Sequence, residues 1–287
     1  MDEIFRLTFG DHADITCALY EGNETKSLER AQGDKHAYIL RSLGFRPGRR
    51  ILDVGCGWGP LLDAIRRGDG VGVGLTLSTA QAAACRRHGF DARLLDWRDT
   101  RPGELGRFDG VASVGAFEHF CSPREHAEGR QDEIYTAFFR WCGETLPSRG
   151  RLYLQTMILG KAAPPLAAVS LDAPRGSTEY LLAVLMRFYP GSFVPRSEEQ
   201  IVRCARPFFS PVEILDGRLD YVLTMRAWNR VWRPSVRKLL AVPRALRRAL
   251  RDRDLGFKLE SLVHGYNRQC FEREALGHRR IVFEKLQ

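Results

Sequence analysis

The sequence predicts an α/β fold with a mostly parallel sheet of seven strands, helices on both faces and a helical cover. Three observations predict it. From about Arg50, short apolar runs alternate with segments of helical spacing, the mark of successive βα units and of a parallel sheet. The first run, RILDV, leads into a turn holding Gly55, Gly57 and Gly59. After Gly160 the alternation stops: proline-rich and helical segments follow, with two further strand-like runs, PVEILDG and RRIVFEKL.

The elements follow in order. RILDV (50–54), VGVGL (71–75), DARLLD (91–96), FDGVASV (108–114) and GRLYLQTMI (150–158) read as five strands. Between them lie helix-like segments from Trp58 to Arg67 and from Ser78, a plausible N-cap, through TAQAAACRRH; EIYTAFFRWCGETL (133–146) has apolar residues at helical spacing and ends before Pro147. KAAPPLAAVSLDAPRG, with three prolines, reads as a loop; TEYLLAVLMRFY reads as a helix; SEEQIVRCARPF reads as a helix capped by Ser197, with Gln200 three residues on. Cys121 to Gln131 reads as an extra polar loop near the fourth strand, one that gates the site, contacts a polar head group or, the favoured reading, forms an inert surface insertion. The whole chain, 1–287, reads as one domain: an N-terminal helical lid at 1–45, a ligand-binding core at 46–160, and a cover made of 160–195 and 225–270. Ligands in such folds bind beyond the carboxyl ends of the strands.

Composition narrows the function. At 44% hydrophobic and 28% charged the 287 residues can bury a full core. The net charge of +9 is local: ten Lys/Arg against the single acid Asp252 fall between Arg226 and Arg253. Such a stretch serves either an anionic partner or a solvated helix face. The seven cysteines form no C-x-x-C pair and no metal-ligand spacing with histidine, which fits reduced thiols in a cytoplasmic protein. No secretory signal is legible in MDEIFRLTFGD, and the longest clean apolar run, Leu181 to Met186, is too short to span a bilayer, so any membrane contact is peripheral.

ILDVGCGWG (51–59) lacks the dinucleotide spacing G-x-G-x-x-G and the G-K-[ST] of a phosphate loop. Its glycines permit a tight bend and close approach to a ligand, and Asp53 can organise the loop or meet an ammonium. Taken alone, the turn leaves a purely structural role as the lesser alternative. It is followed by "GLTLSxxQ" (Gly74 to Gln81), Asp96-Trp97, "GAFEHF" (115–120), "FYPGSFVP" and "LDYVLTMRAW". In this order and spacing the chain resembles the cyclopropane-fatty-acyl-phospholipid and mycolic acid cyclopropane synthases, a family of class I methyltransferases with a Rossmann-like fold.

The resemblance implies S-adenosylmethionine as cofactor, held by Thr16, Asp53, Gly55, Cys56, Gly57, Thr76, Leu77, Gln81, Asp96, Trp97 and Gly115. It implies methyl or methylene transfer to a carbon–carbon double bond of a fatty acyl or related lipid chain, through a carbocation, giving a cyclopropane or a methyl branch. It also implies a bicarbonate base, with Glu118, Gln155, Tyr221 and Cys17 at the matching catalytic positions. Gln155 stands where the family has histidine; an amide donates a hydrogen bond but cannot carry a proton onward. Phe117 and Phe120 would border a dry, cation-tolerant pocket, and Phe188, Tyr189, Phe193, Trp228 and Trp232 are candidates for an apolar tunnel. Glu118 and His119 could instead merely cap a helix; for His119 a structural hydrogen bond is the favoured role. The basic segment 226–253 would rest on an anionic membrane or an acyl carrier. A prenyl or polyketide alkene is the alternative substrate. Nucleic acid is disfavoured, because GAFEHF replaces the Asn/Asp-Pro-Pro-Tyr/Phe motif that grips an extruded base. A non-catalytic cofactor-binding module is the remaining reading.

Overall fold

A computed structural model describes residues 13–231 and 255–287. Strand β1 (Arg50–Val54) pairs in parallel with β2 (Val71–Thr76) and β4 (Gly110–Val114), β2 with β3 (Asp91–Leu94), and β4 with β5 (Arg151–Leu159). Strand β7 (Leu276–Lys285) is antiparallel to both its neighbours, β5 and β6 (Phe209–Asp216). The order β3-β2-β1-β4-β5-β7-β6 is the seven-stranded, mostly parallel sheet expected. The chain runs outward from β1 to β3 and returns to β4, so the crevice between β1 and β4 is the switch point where such sheets bind ligands.

Side-chain alternation along the strands splits the core in two. Leu52, Val54, Val111, Leu152 and Leu154 face one layer, packed against Phe138, Phe139 and Trp141 of helix α5 (Gln131–Thr145). Ile51, Ala112 and Tyr153 face the other, against Ile39 of α1 (Leu28–Ser42) and Leu62 and Ile65 of α2 (Pro60–Arg67). Each such buried side chain contributes about 1.5–3 kcal/mol. Helix α3 (Thr79–Arg87) is capped by Ser78, whose hydroxyl accepts from the Gln81 N–H at 3.3 Å.

The segment 121–131, expected as a loop, instead contains helix α4 (Pro123–Ala127). Ser122 Oγ accepts from the Glu125 N–H (3.2 Å) and Glu125 Oε2 from the Ser122 N–H (2.8 Å). That reciprocal capping box, with Pro at the first helical position, fixes the turn.

The cover has its own core. Helices α6 (Thr178–Phe188), α8 (Arg218–Val231) and α10 (Tyr266–Glu272) bury Leu181, Val184, Tyr221, Met225 and Phe271 together with Leu276 of β7. Helix α7 (Glu198–Ala205) is capped by Ser197 as expected, while the Gln200 side chain reaches one residue further back, to the Arg196 N–H at 2.7 Å. Helix α9 (Leu255–His264) completes the cover.

Arg280, buried on β7, ties the N-terminal strap to this cover. It donates to Asp220 Oδ2 on α8 (2.8 Å) and to the Ala18 carbonyl (2.8 Å), while Asp220 Oδ1 accepts from the Tyr20 and Glu21 N–H groups at 3.1 Å. Most of the basic segment 226–253, with Trp232, lies outside the described residues; Arg226 pairs with Glu272 at 3.0 Å. Among the described residues no helix is long and apolar enough to cross a membrane.

Candidate active site

The glycine turn leaves β1 at the switch point. Gly55 has φ +87° and Gly57 φ +55°, values that favour glycine. A Cβ at Gly55 would stand 2.3 Å from that of Ala116, so the turn after β1 and the turn after β4 are in close contact there. Between them opens a cleft of about 1320 Å³, its open mouth included, lined by Thr16, Gly55, Gly57, Thr76, Leu77, Gln81, Asp96, Trp97 and Gly115. The Thr76 hydroxyl donates to Gln81 Oε1 at 2.7 Å, which turns the glutamine's donor end over to a ligand. Trp97 is buried against Phe120, Phe138 and Trp141, with ring centroids 5.3–6.1 Å away, and is rigidly held. Asp96 accepts from the Arg98 N–H at 3.0 Å and so fixes the turn that carries Trp97.

The cleft continues behind the glycine turn into a chamber of about 400 Å³, lined by the remaining two cofactor candidates, Asp53 and Cys56, and by Asp14, Lys35 and His36. Asp53 Oδ1 is buried with no hydrogen-bond partner among the described residues. Burial, with the charge of Asp14 adding to it, pushes the Asp53 carboxyl up to about 7. An orphaned carboxylate oxygen calls for a positively charged donor. A long slot with an indole and a free amide at one end and that oxygen at the other fits the adenosyl and amino-acid ends of S-adenosylmethionine.

A second cavity, of about 680 Å³, lies under the cover. It is apolar: Met157, Leu159, Leu182, Leu185, Tyr189 and Phe193 are among its lining residues. Glu118 and His119, on the single helical turn after β4, also border it, and His119 lines the cofactor cleft as well. Glu118 is 4% exposed and accepts from Thr156 Oγ1 at 2.9 Å. Burial raises its carboxyl above the usual range; the charge of His119 and hydrogen bonds from Thr156 and the Met157 backbone hold it down in part. His119 Nδ1 contacts Ser192 Oγ at 2.5 Å, linking this turn to the cover, so the hydrogen bond expected of it is present.

The other three catalytic candidates stand deeper, and none lines these cavities. Tyr221 is packed among Trp228, Phe271 and His278. Burial raises its hydroxyl well above the usual range, with the charges of Tyr189 and Glu118 adding, so it stays protonated and within electrostatic reach of Glu118. Gln155 is held at both ends: its Nε2 donates to the Cys17 carbonyl (3.0 Å) and its Oε1 accepts from Tyr153 (3.0 Å). The Cys17 thiol, pushed up to about 12 by burial, receives a hydrogen bond from Arg280 at 3.3 Å. Phe117 does not border the pocket as expected; it is fully buried and stacked on Tyr135 at 4.3 Å, while Phe120 lines the cofactor cleft. Of the tunnel candidates, Tyr189 and Phe193 line the apolar cavity and Phe188 and Trp228 do not.

Residues missed at the sequence level are Asp14, Lys35 and His36. The adjacent basic pair on α1 was the available signal, but only the fold brings Asp14 to it, at 2.6 Å from Lys35 and 2.9 Å from His36.

The family model described as mycolic acid cyclopropane synthetase matches residues 1–245 of the sequence. The chain belongs to that family. It is 31% identical over 238 residues to cyclopropane mycolic acid synthase 2 of Mycobacterium leprae, covering 79% of this chain and 75% of that protein. It is 31% identical over 248 residues to cyclopropane mycolic acid synthase MmaA2 of Mycobacterium tuberculosis, covering 84% and 82%. The solved structure of mycolic acid cyclopropane synthase CmaA1 complexed with SAH and CTAB shares the fold, with a TM-score of 0.75 at 24% identity over 99% of this chain and 94% of that one. As a member of the cyclopropane synthase family, the chain is an S-adenosylmethionine-dependent methyltransferase.

Proposed function

We propose that this methyltransferase acts on a carbon–carbon double bond in a fatty acyl or related lipid chain, yielding a cyclopropane or a methyl branch, with Glu118 as the base. The observation that carries this reading is the turn after β4: His119 lines both the cofactor cleft and the apolar cavity, and Glu118 beside it lines the apolar cavity. When bound, S-adenosylmethionine would supply an electrophilic methyl group, and Thr76, Gln81, Trp97 and Asp53, which line the cleft and its chamber, would hold it. Leucines and methionines of the cavity hold the chain and keep water from the cation that methylation leaves on the substrate. Glu118 then accepts the proton whose loss closes the ring or forms a new double bond.

The lining of the cavity supports an acyl chain over a prenyl diphosphate within it. Its described lining includes one acid, Glu118, and no lysine or arginine, whereas a prenyl diphosphate would need cationic partners for its phosphates. This favours the acyl chain. The basic segment 226–253 would meet the anionic head group or carrier.

Bicarbonate, implied by the resemblance, fits poorly with the side chains as they stand. A trigonal anion needs several converging donors. One N–H of the Gln155 carboxamide is spent on the Cys17 carbonyl and its oxygen accepts from Tyr153, and of Glu118, Gln155, Tyr221 and Cys17 only Glu118 lines one of these cavities. We therefore assign the base function to Glu118 without an intermediary.

The test is incubation with S-adenosylmethionine carrying a deuterated methyl group, over a panel of unsaturated phospholipids, acyl carriers and prenyl diphosphates, read by mass spectrometry. A labelled acyl product is expected. Loss of one deuteron marks proton removal from the transferred methyl, giving a cyclopropane or an exocyclic methylene that hydrogenation tells apart, and full retention marks a methyl branch with the new double bond in the chain. Turnover of prenyl diphosphates in preference to acyl chains would overturn the substrate assignment.

A further inference from the structure

The chamber behind the glycine turn contains more polar chemistry than Asp53. Asp14, on the N-terminal strap, and Lys35 and His36, on α1, close a knot along its wall. The Lys35 ammonium, 1% exposed, spends its three N–H groups on Asp14 Oδ2, Thr16 Oγ1 and Gln32 Oε1, each at 2.6 Å. Asp14 Oδ1 takes the Thr16 N–H (3.1 Å) and hydroxyl (2.7 Å), and Oδ2 takes His36 Nε2 at 2.9 Å. Burial alone would raise the Asp14 carboxyl, but the charge of Lys35 and the bonds from His36 and Lys35 outweigh it and hold Asp14 ionised.

This arrangement fixes which polar side-chain atoms remain for a ligand. Lys35 is saturated, so it offers no donor and serves to balance the charge of Asp14. A carboxylate only accepts, so the His36 nitrogen that meets Asp14 bears the hydrogen; in the neutral ring the other nitrogen, Nδ1, is then an acceptor. Nδ1 makes no hydrogen bond among the described residues, and Asp53 Oδ1 has no partner among them either. The two unengaged groups are both acceptors, so the complementary ligand group is a cationic donor.

We propose that His36, oriented by Asp14, joins Asp53 in a two-acceptor cradle for the α-ammonium group at the amino-acid end of the cofactor. This rests on the assignment of the cleft to S-adenosylmethionine and adds a recognition element contributed by α1. His36 is a positioning residue here. Its contact distinguishes the amino acid from analogues that keep the adenosyl group and sulfur but lack the amine.

Calorimetric binding tests it, with S-adenosylhomocysteine and its analogue lacking the α-amino group as probes. A hydrogen bond to a charged group contributes about 1.5–3 kcal/mol, or roughly 10- to 100-fold in affinity. His36→Phe should lose that factor for S-adenosylhomocysteine and bind the amine-free analogue as the native protein does. His36→Asn, whose side-chain oxygen lies near the place of Nδ1, should recover part of the loss. Equal weakening of both probes in His36→Phe, or no weakening of either, overturns the cradle. Failure of the native protein to bind S-adenosylhomocysteine at all would remove the cofactor assignment itself, which separates the two conclusions.

Discussion

Replacing Glu118 by glutamine isolates its charge from its shape. The amide oxygen can accept the Thr156 hydroxyl now bonded to Glu118 Oε2 at 2.9 Å, and the volume is unchanged. Stability should hold or rise. Burial raises the Glu118 carboxyl, so the ionised form is disfavoured in the fold, its penalty is present at neutral pH, and it vanishes as pH falls through the raised value. A neutral amide carries no such penalty. Turnover should fall by about 10²–10⁴, the usual contribution of a positioned base, or roughly 3–5 kcal/mol of barrier. The assay pairs deuterium-label turnover with a thermal melt and S-adenosylhomocysteine calorimetry on the same preparation. Unchanged turnover would refute the base assignment. So would a loss matched by a lower melting temperature and weaker cofactor binding, because the substitution would then have acted through the fold.

Thr156→Val removes a hydrogen bond that holds the Glu118 carboxyl down, so the acid limb of the kcat–pH profile should move to higher pH; a profile that stays in place would detach that limb from Glu118. Leu185→Trp, at a buried position lining the apolar cavity, should shift product profiles toward shorter acyl chains with S-adenosylhomocysteine affinity intact; an unchanged chain-length profile would show that the chain binds elsewhere. Asp220→Ala strands the buried Arg280 guanidinium and frees the Tyr20 and Glu21 N–H groups. It should cost about 3–5 kcal/mol, read from the urea midpoint, and a cost below 1 kcal/mol, the range of an exposed pair, would contradict the burial of this pair.

The sheet was legible because parallel strands buried on both faces read as apolar runs, and the five from Arg50 to Leu159 lie within a few residues of their sequence positions. β7 was less so. It begins at Leu276 rather than Arg279, through a stretch with His278, Arg279 and Arg280. A window of sequence reads those charges as surface, yet Arg280 is buried because Asp220, 60 positions away, neutralises it. Helix α4 was missed although its signature, Ser122-Pro123-Arg124-Glu125, is local; the polar, charged composition of the segment and its being extra to the family spacing weighed toward a loop. In the site, candidates at or just beyond the carboxyl end of a strand, such as Asp53, Thr76 and Trp97, come to line the cleft or its chamber because strand ends converge there. The knot of Asp14 with Lys35 and His36 joins two segments about 20 positions apart, and no periodicity announces a contact of that kind.

The turn after β4 also bears on how the proposed site would handle positive charge. The sequence suggested an aromatic box, but Phe117 is turned into the core and stacked on Tyr135, so its ring does not face the apolar cavity. An aromatic face contributes about 0.5–2 kcal/mol toward a cation, whereas a carboxylate at about 4 Å contributes roughly 4 kcal/mol at an effective dielectric near 20. On the proposed assignment Glu118 would be the stronger stabiliser of a cation formed beside it, and its burial would be the reason. The carboxylate is held out of water by the fold itself, with the Thr156 hydroxyl and the Met157 N–H supporting it. The desolvation cost is met on folding, so an arriving positive charge meets a preorganised partner that needs no solvent rearrangement. In the proposed reaction one group would both stabilise the cation and remove its proton, while the aliphatic wall of Leu182, Leu185 and Met157 would keep water from doing either.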